Sequence, residues 1–133
     1  VVKGVQAPED ACRIKAAGAD AIYVSNHGAR QLNAAPPSID SVAPIRAAIG
    51  DDMPLIVDGG VRSGEHVIKA IASGADFVMI GRSAMYGLGA NGADGLSDII
   101  DSFAREASSV IGLAGKTRID DIDANCLAGA HGH

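Results

Sequence analysis

Tryptophan is absent, and aromatic residues make up only 3% of the 133-residue chain. A core without large rings must be filled by aliphatic side chains, and a hydrophobic content of 47% supplies enough of them. No apolar run approaches the ~20 residues a bilayer-spanning helix needs, and no signal-peptide pattern is present. Histidine, cysteine and acidic residues nowhere take up a metal-ligand spacing. The two cysteines, Cys12 and Cys126, lie far apart. Cys12 falls on a helical stretch and reads as a buried thiol rather than half of a bridge, which fits a reducing, cytoplasmic setting. Basic residues are outnumbered, 11 Lys and Arg against 16 Asp and Glu, and the net charge of −5 argues against nonspecific nucleic-acid binding. An initiator Met is lacking too, and the chain opens directly on an apolar strand; we expect it to be a piece of a longer polypeptide.

What the chain has in quantity is glycine, 17 residues, many at apparent element ends. Val1 to Val5 reads as a short buried strand carrying one charge, Lys3. Ala7-Pro8-Glu9-Asp10 opens a helix, with Pro tolerated in the first turn and acids suited to its dipole. Ala11, Ile14 and Ala17 form its apolar face, and Gly18 stops it. Ala21 to Val24 is the next strand, followed by a loop over residues 25–37. A helix is expected from about Ser41 to Ile49, with Pro44 in its first turn and Gly50 as its stop. Pro54 to Val57 is a third strand, ending in Asp58-Gly59-Gly60. Ser63 caps a helix with the face Val67, Ile68, Ile71 and Ala72, stopped by Gly74. Phe77 to Ile80 is a fourth strand, ending in Gly81-Arg82. The last helix is expected from about Ala93 to Ile111, with an apolar stripe of Leu96, Ile99, Ile100, Phe103, Ala107, Val110 and Ile111. From Gly112 the chain reads as a tail.

Short, continuously apolar strands alternating with helices are the pattern of a parallel sheet covered on its faces. An internal repeat reinforces it. Lys15 to Val24 resembles Lys69 to Val78, displaced by 54 positions at the Lys and 56 at the Gly-Ala-Asp. Two strand-helix-strand repeats could form an open doubly wound sheet or half of an eight-stranded barrel. Polar residues fall at the carboxyl ends of all the strands: Lys3, Ser25 to Arg30, Asp58 to Arg62, and Gly81-Arg82. A barrel distributes its chemistry around that one rim, whereas an open sheet concentrates it at a switch point, so the pattern favours half a barrel.

The stretch Val24-Ser25-Asn26-His27-Gly28-Ala29-Arg30-Gln31-Leu32 turns abruptly from apolar to polar. His27 can move a proton near neutral pH, and Arg30 can grip a carboxylate through two parallel hydrogen bonds. A capped loop histidine without chemistry is the plainer reading of any single His; the Arg three residues on, in a Gly-containing loop, favours a functional pair. Asp58-Gly59-Gly60-Val61-Arg62 and Gly81-Arg82 suit an anion, because glycines let the backbone approach and a following helix N-terminus attracts negative charge. The alternative is tight turns with solvated arginines. Lys3 could neutralise negative charge on a cofactor or simply reach for solvent at a strand end. His66 carries little functional weight, and His131 and His133 read as solvated tail residues.

Together these motifs resemble the FMN-dependent 2-hydroxy acid oxidases and dehydrogenases, among them glycolate oxidase, lactate oxidase, mandelate dehydrogenase and flavocytochrome b2. The residues that carry the resemblance are Lys3-Gly4, Ser25-Asn26-His27-Gly28-Ala29-Arg30-Gln31-Leu32, Asp58-Gly59-Gly60-Val61-Arg62-Ser63-Gly64 and Ile80-Gly81-Arg82, in order and up to about Gly115. Lys3-Gly4-Val5-Gln6 with Pro8-Glu9-Asp10-Ala11, the Gly28-Ala29-Arg30 variant, and Gly64-Glu65-His66-Val67 look most like the lactate oxidase branch. The resemblance implies a (β/α)8 TIM barrel of which residues 1–133 form the C-terminal half, strands five to eight, plus a C-terminal helix and tail. It implies FMN as cofactor, with Lys3 near N1 and O2 of the flavin and Ser25 near the flavin or its ribityl chain. His27 would take the substrate proton and Arg30 would bind the substrate carboxylate. Asp58, Gly60 and Arg62 would hold the ribityl chain and phosphate, with Gly81 and Arg82 completing the phosphate site.

The implied reaction oxidises an (S)-2-hydroxy acid such as lactate to the 2-oxo acid, with either hydride transfer or a carbanion at Cα. Reoxidation would be by O2 in an oxidase, or by a quinone or cytochrome in a dehydrogenase. Asn33 stands where many relatives carry Asp, and Ser83 where Pro is common. The family's N-terminal half supplies further flavin contacts, substrate-contacting tyrosines and the Asp that pairs with the catalytic His, so a complementary N-terminal half, on this or a second chain, is an expected partner, as is assembly into a tetramer. A non-catalytic half-barrel module binding a phosphorylated ligand would share the glycine and arginine motifs but has no need of His27 and Arg30. Type 2 isopentenyl diphosphate isomerase and glutamate synthase should lack the Ser-Asn-His-Gly-x-Arg motif.

Overall fold

The computed structural model describes residues 1–128. His131, His133 and the end of the expected 1–133 unit lie outside the described residues. The elements in order are β1 (Val2–Val5), α1 (Pro8–Ala16), β2 (Ile22–Val24), α2 (Ser38–Ile49), β3 (Leu55–Val57), α3 (Gly64–Ala72), β4 (Phe77–Val78) and α4 (Arg82–Leu113). The chain divides into two compact units, one of Val1–Gly60 with Ser73–Met79, the other of Val61–Ala72 with the chain from Ile80 onward.

The first unit holds the sheet. Its strands are all parallel and run in the order β1-β2-β3-β4. Each strand thus neighbours its successor in sequence. A doubly wound sheet reverses its order at a switch point, and this order contains none. The side-chain alternation explains the core. Ile22, Val24, Leu55 and Val57 are at most 3% exposed and share the core with buried Val42, Ile45 and Ile49 of α2 and Ala11 of α1. The intervening residues Lys3, Tyr23, Ile56 and Phe77 stand opposite one another on the other face, where Phe77 is 61% exposed.

In the second unit, Ile68, Ala72 and Ile122 form a small core joined by Ile71, Ala107, Val110, Ile111, Cys126 and Leu127. The stretch read as a tail is therefore folded back by short 3-10 turns at Ile119–Asp121 and Ala124–Cys126, whose apolar residues find cover against α3 and α4. Two helices also start earlier than their patterns suggest. α2 begins at Ser38, straight after the extended Pro37, so Pro44 lies inside it on the exposed side. α4 begins at Arg82 and is broken at Asn91 and Gly92; the expected helix from Ala93 is its second half. The glycine-rich first half has poor helix propensity and escapes a pattern search. Cys12 is a correction: it is exposed, because α1 buries Ala11 rather than the neighbouring thiol, and both cysteines are free. Among the described residues no helix is long and apolar enough to cross a membrane, and no His, Cys, Asp and Glu cluster could hold a metal.

Candidate active site

Because the strands are parallel, their carboxyl ends lie on one edge of the sheet. Register then decides which side chains meet. Lys3 stands opposite Tyr23, and Tyr23 opposite Ile56; Asp58, two residues on, follows Ile56 on the same face. Asp58 is the hub of the resulting cluster. Its Oδ2 accepts a hydrogen bond from the Tyr23 hydroxyl at 2.9 Å and lies 3.0 Å from the Lys3 ammonium. Lys3 Nζ also sits 4.7 Å from the centroid of the Tyr23 ring, within cation–π range. Lys3 is thus neither buried nor free: its side chain is 44% exposed and ion-paired.

Burial opposes ionisation of Asp58, but the Ser25 hydroxyl, the Lys3 ammonium and the Tyr23 hydroxyl outweigh it and hold the carboxyl below its ordinary range. Burial first, and then the neighbouring carboxylate, push the Tyr23 phenol up to about 12. At neutral pH the pair is therefore an anion and a firm donor. The other carboxylate oxygen, Oδ1, is buried without a hydrogen-bond partner among the described residues. Buried polar atoms are rarely left so, and Oδ1 is therefore free to accept a further hydrogen bond.

The segment after β2 is built by side chains that satisfy backbone donors. Ser25, 1% exposed, accepts from the His27 N–H at 3.1 Å, and Asn26 accepts from the Gly28 N–H at 3.0 Å. Ser38, at the start of α2, accepts from the Asn26 N–H at 3.0 Å. The result is a left-handed turn: His27, Gly28 and Ala29 have φ of 54°, 67° and 58°. Two of the three are not glycine, and such positions carry strain of about 1–3 kcal/mol each. The turn lays the imidazole against β1. A Cβ added at Gly4, itself at φ +96°, would come within 2.7 Å of His27 Cε1, so only glycine permits this approach. Replacing Ala29 by Gly is expected to stabilise the protein by about 1 kcal/mol, since glycine enters the left-handed region without a Cβ penalty; a urea midpoint at or below the parent's would mean the methyl group does more for packing than it costs in strain.

Arg30 follows the turn and is exposed, as are Arg62 and Arg82. Among the described residues none of these three guanidinium groups has an ion-pair partner, and neither has Arg105 on α4, whereas Arg13, Arg46 and Arg118 each pair with an aspartate. In the second unit the Ser83 hydroxyl donates to the Val61 carbonyl at 3.0 Å, which sets the start of α4 beside the segment carrying Arg62. Ser63 caps α3 as expected, accepting from the His66 N–H at 3.3 Å, while His66 Nδ1 accepts from the Arg62 N–H at 3.2 Å. Gly81, the N-cap of α4, has no side chain to cap the first N–H groups of that helix.

The structure thus brings together Lys3, Ser25 and Asp58, and rests His27 on Gly4 beside them in sequence; it places Arg62, Gly81 and Arg82 in the second unit. Sequence reading missed Tyr23 and Ser38, and took Gly4 only as part of the Lys3-Gly4 motif, not as the seat of the His27 ring. Tyr23 had one available signal: it is the only residue with a polar tip in its apolar strand run, two residues before the Ser-Asn-His motif.

A parallel α/β sheet that gathers ionisable side chains at its carboxyl-end rim is the framework of a large class of α/β enzymes. The chain belongs to the FMN-dependent dehydrogenase family, whose model matches residues 1–129. That is a family of flavin-dependent oxidoreductases, and FMN is the cofactor of the class. The chain is 45% identical over 122 residues to an L-lactate oxidase of Lentilactobacillus hilgardii, covering 92% of this chain and 33% of that protein. It is 42% identical over 130 residues to an L-lactate dehydrogenase of Pseudomonas syringae pv. syringae, covering 98% and 34%. Among solved structures it resembles the monotopic membrane protein (S)-mandelate dehydrogenase with a TM-score of 0.92 at 35% identity, covering 96% of this chain and 34% of that one. The chain therefore spans about a third of the length of the curated relatives it matches.

Proposed function

We infer that the protein is an FMN-dependent oxidase of a lactate-like (S)-2-hydroxy acid, returning the 2-oxo acid and passing electrons to O2. This chain contributes the C-terminal half of its (β/α)8 barrel, strands five to eight, with α4 and the segment after it. What carries the inference is the rim: Lys3 and Asp58 paired across neighbouring strand ends, with His27 held against Gly4 by a strained turn. The residues present fit FMN. The orphan Oδ1 of Asp58 can accept from a ribityl hydroxyl. A Cβ at Gly60 would meet nothing within 4 Å, which leaves room for a close ligand. In the second unit, taken by itself, Arg62 and Arg82, without ion-pair partners among the described residues, and Gly81 at the start of α4 suit a phosphate, the role the family resemblance implies for them.

When bound, FMN supplies a two-electron acceptor. The chain's own residues do the rest. Arg30 holds the substrate carboxylate by a bidentate pair, and His27 takes the substrate proton on a ring nitrogen. Lys3 places a positive charge where negative charge collects, and Ser25 supports the His27 backbone from below. The remaining strands, and an acid partner for the imidazolium that His27 becomes, come from a complementary N-terminal half on this or a second chain, within a homo-oligomer, a tetramer by family resemblance. The two free thiols accord with a cytoplasmic setting.

A second reading, a dehydrogenase that passes electrons to a quinone or cytochrome, is favoured by the likeness to the membrane-associated mandelate dehydrogenase. Anaerobic mixing of the purified protein with L-lactate and (S)-mandelate, followed by flavin absorbance, tests the reaction class: bleaching is expected, fastest with lactate. Rapid colour return on admitting air supports the oxidase, and slow return the dehydrogenase. Bound flavin that neither acid bleaches would overturn the assigned substrate class.

A further inference from the structure

We propose that Tyr23 is a positioning residue for the cofactor: by donating to Asp58 Oδ2 it fixes the carboxylate so that Oδ1 is presented to the cofactor's polyol. The proposal rests on the flavin reading above. A carboxylate offers about four acceptor sites, two on each oxygen. Here the Tyr23 hydroxyl at 2.9 Å and the Lys3 ammonium at 3.0 Å both meet Oδ2, the Ser25 hydroxyl is a further donor to the carboxylate, and Oδ1 is buried with no hydrogen-bond partner among the described residues. The terminal torsion of an aspartate is broad and almost two-fold, so left to itself the group would turn to share both oxygens with its neighbours. Lys3 alone is a poor brake, because its side chain is 44% exposed and flexible. Tyr23 is a better one. Its ring stands on a strand whose register with β1 and β3 is set by the sheet, and the Lys3 ammonium rests over that ring. Phenylalanine would fill the strand equally well, so the hydroxyl is the part that does the positioning.

The test is FMN binding by the flavin-stripped, purified protein, read from the quenching of free FMN fluorescence, in the parent, Tyr23→Phe, Asp58→Ala and the double variant. Tyr23→Phe is expected to weaken binding about tenfold, the loss of one hydrogen bond to a charged acceptor. Asp58→Ala should weaken it further. Because Tyr23 acts through Asp58, the double variant should bind within about twofold of Asp58→Ala, a non-additivity that a merely structural role would not produce. Parent-like binding by Tyr23→Phe alongside weak binding by Asp58→Ala overturns the role of Tyr23 and leaves the flavin reading standing, as do losses in the double variant that multiply. A parent that takes up no FMN overturns the reading and the proposal together. A second measurement does not depend on the Tyr23→Phe protein folding: in Asp58→Ala the raised Tyr23 ionisation should move part of the way down toward the ordinary phenol value, burial holding the rest, and an unchanged Tyr23 titration overturns the contact.

Discussion

Replacing His27 with Asn is expected to leave FMN binding intact and to slow flavin reduction by substrate by about 10²–10⁴-fold, the usual contribution of a positioned general base. The imidazole leans on the glycine of β1, and the turn that carries it is held by Ser25 and Asn26 through backbone N–H groups. Asparagine tolerates the left-handed backbone at this position better than most residues, so the substitution isolates the ring from the turn. Stopped-flow reduction under argon, normalised to flavin content, measures the effect. A reduction rate within tenfold of the parent would remove His27 from the proton transfer and move the search to the acids and tyrosines of the complementary half.

The largest expected effect on stability belongs to a residue far from the rim. Arg46, on α2, has a side chain only 14% exposed. Its Nε donates to the Gly74 carbonyl at 2.8 Å, and Nη1 donates to the carbonyls of Gly50 and Met53 at 2.6 and 2.9 Å. Its Nη2 pairs with Asp76, whose Oδ2 in turn accepts from the Leu55 N–H at 2.7 Å. One guanidinium therefore ties the end of α2, the entry to β3 and the entry to β4 together. Arg46→Met keeps the stem and removes every donor, leaving three carbonyls and a carboxylate to find water. Breaking a part-buried pair of this kind costs about 3 kcal/mol, the lower end of the usual range because Asp76 is 46% exposed. Against a typical total of about 5–15 kcal/mol that is a large fraction, and it should appear as a fall in the urea midpoint. Asp76→Asn, which keeps an acceptor for Leu55, should cost much less. Equal losses in the two variants would place the energy in the ion pair rather than in the carbonyl clamp.

Much of this was legible in the chain. Apolar runs of three or four residues bounded by glycine placed the strands, because a strand covered by helices must be apolar without a break. The gathering of Lys3, Ser25 and Asp58 at strand ends needed only the direction of the chain, since parallel strands bring their carboxyl ends to one edge. The Ser-Asn-His-Gly-x-Arg motif brought the flavin family into view, and the family match over residues 1–129 agrees. Less was legible where local propensity is weak. The first half of α4 is rich in glycine, and the segment after it is held by contacts of Ile122, Cys126 and Leu127 that no local pattern announces.

By itself the sequence determined the parallel α/β class, the common edge of its polar residues and the family, because all three follow from periodicity and from residues consecutive in the chain. Only the tertiary structure decided that Lys3, Tyr23 and Asp58 meet at one carboxylate oxygen, that the other oxygen is left open, and that Gly4 makes room for His27. Those contacts join residues separated by 20 to 55 positions, and they depend on strand register and on the hand of a three-residue turn, quantities that arise only when neighbouring strands have packed.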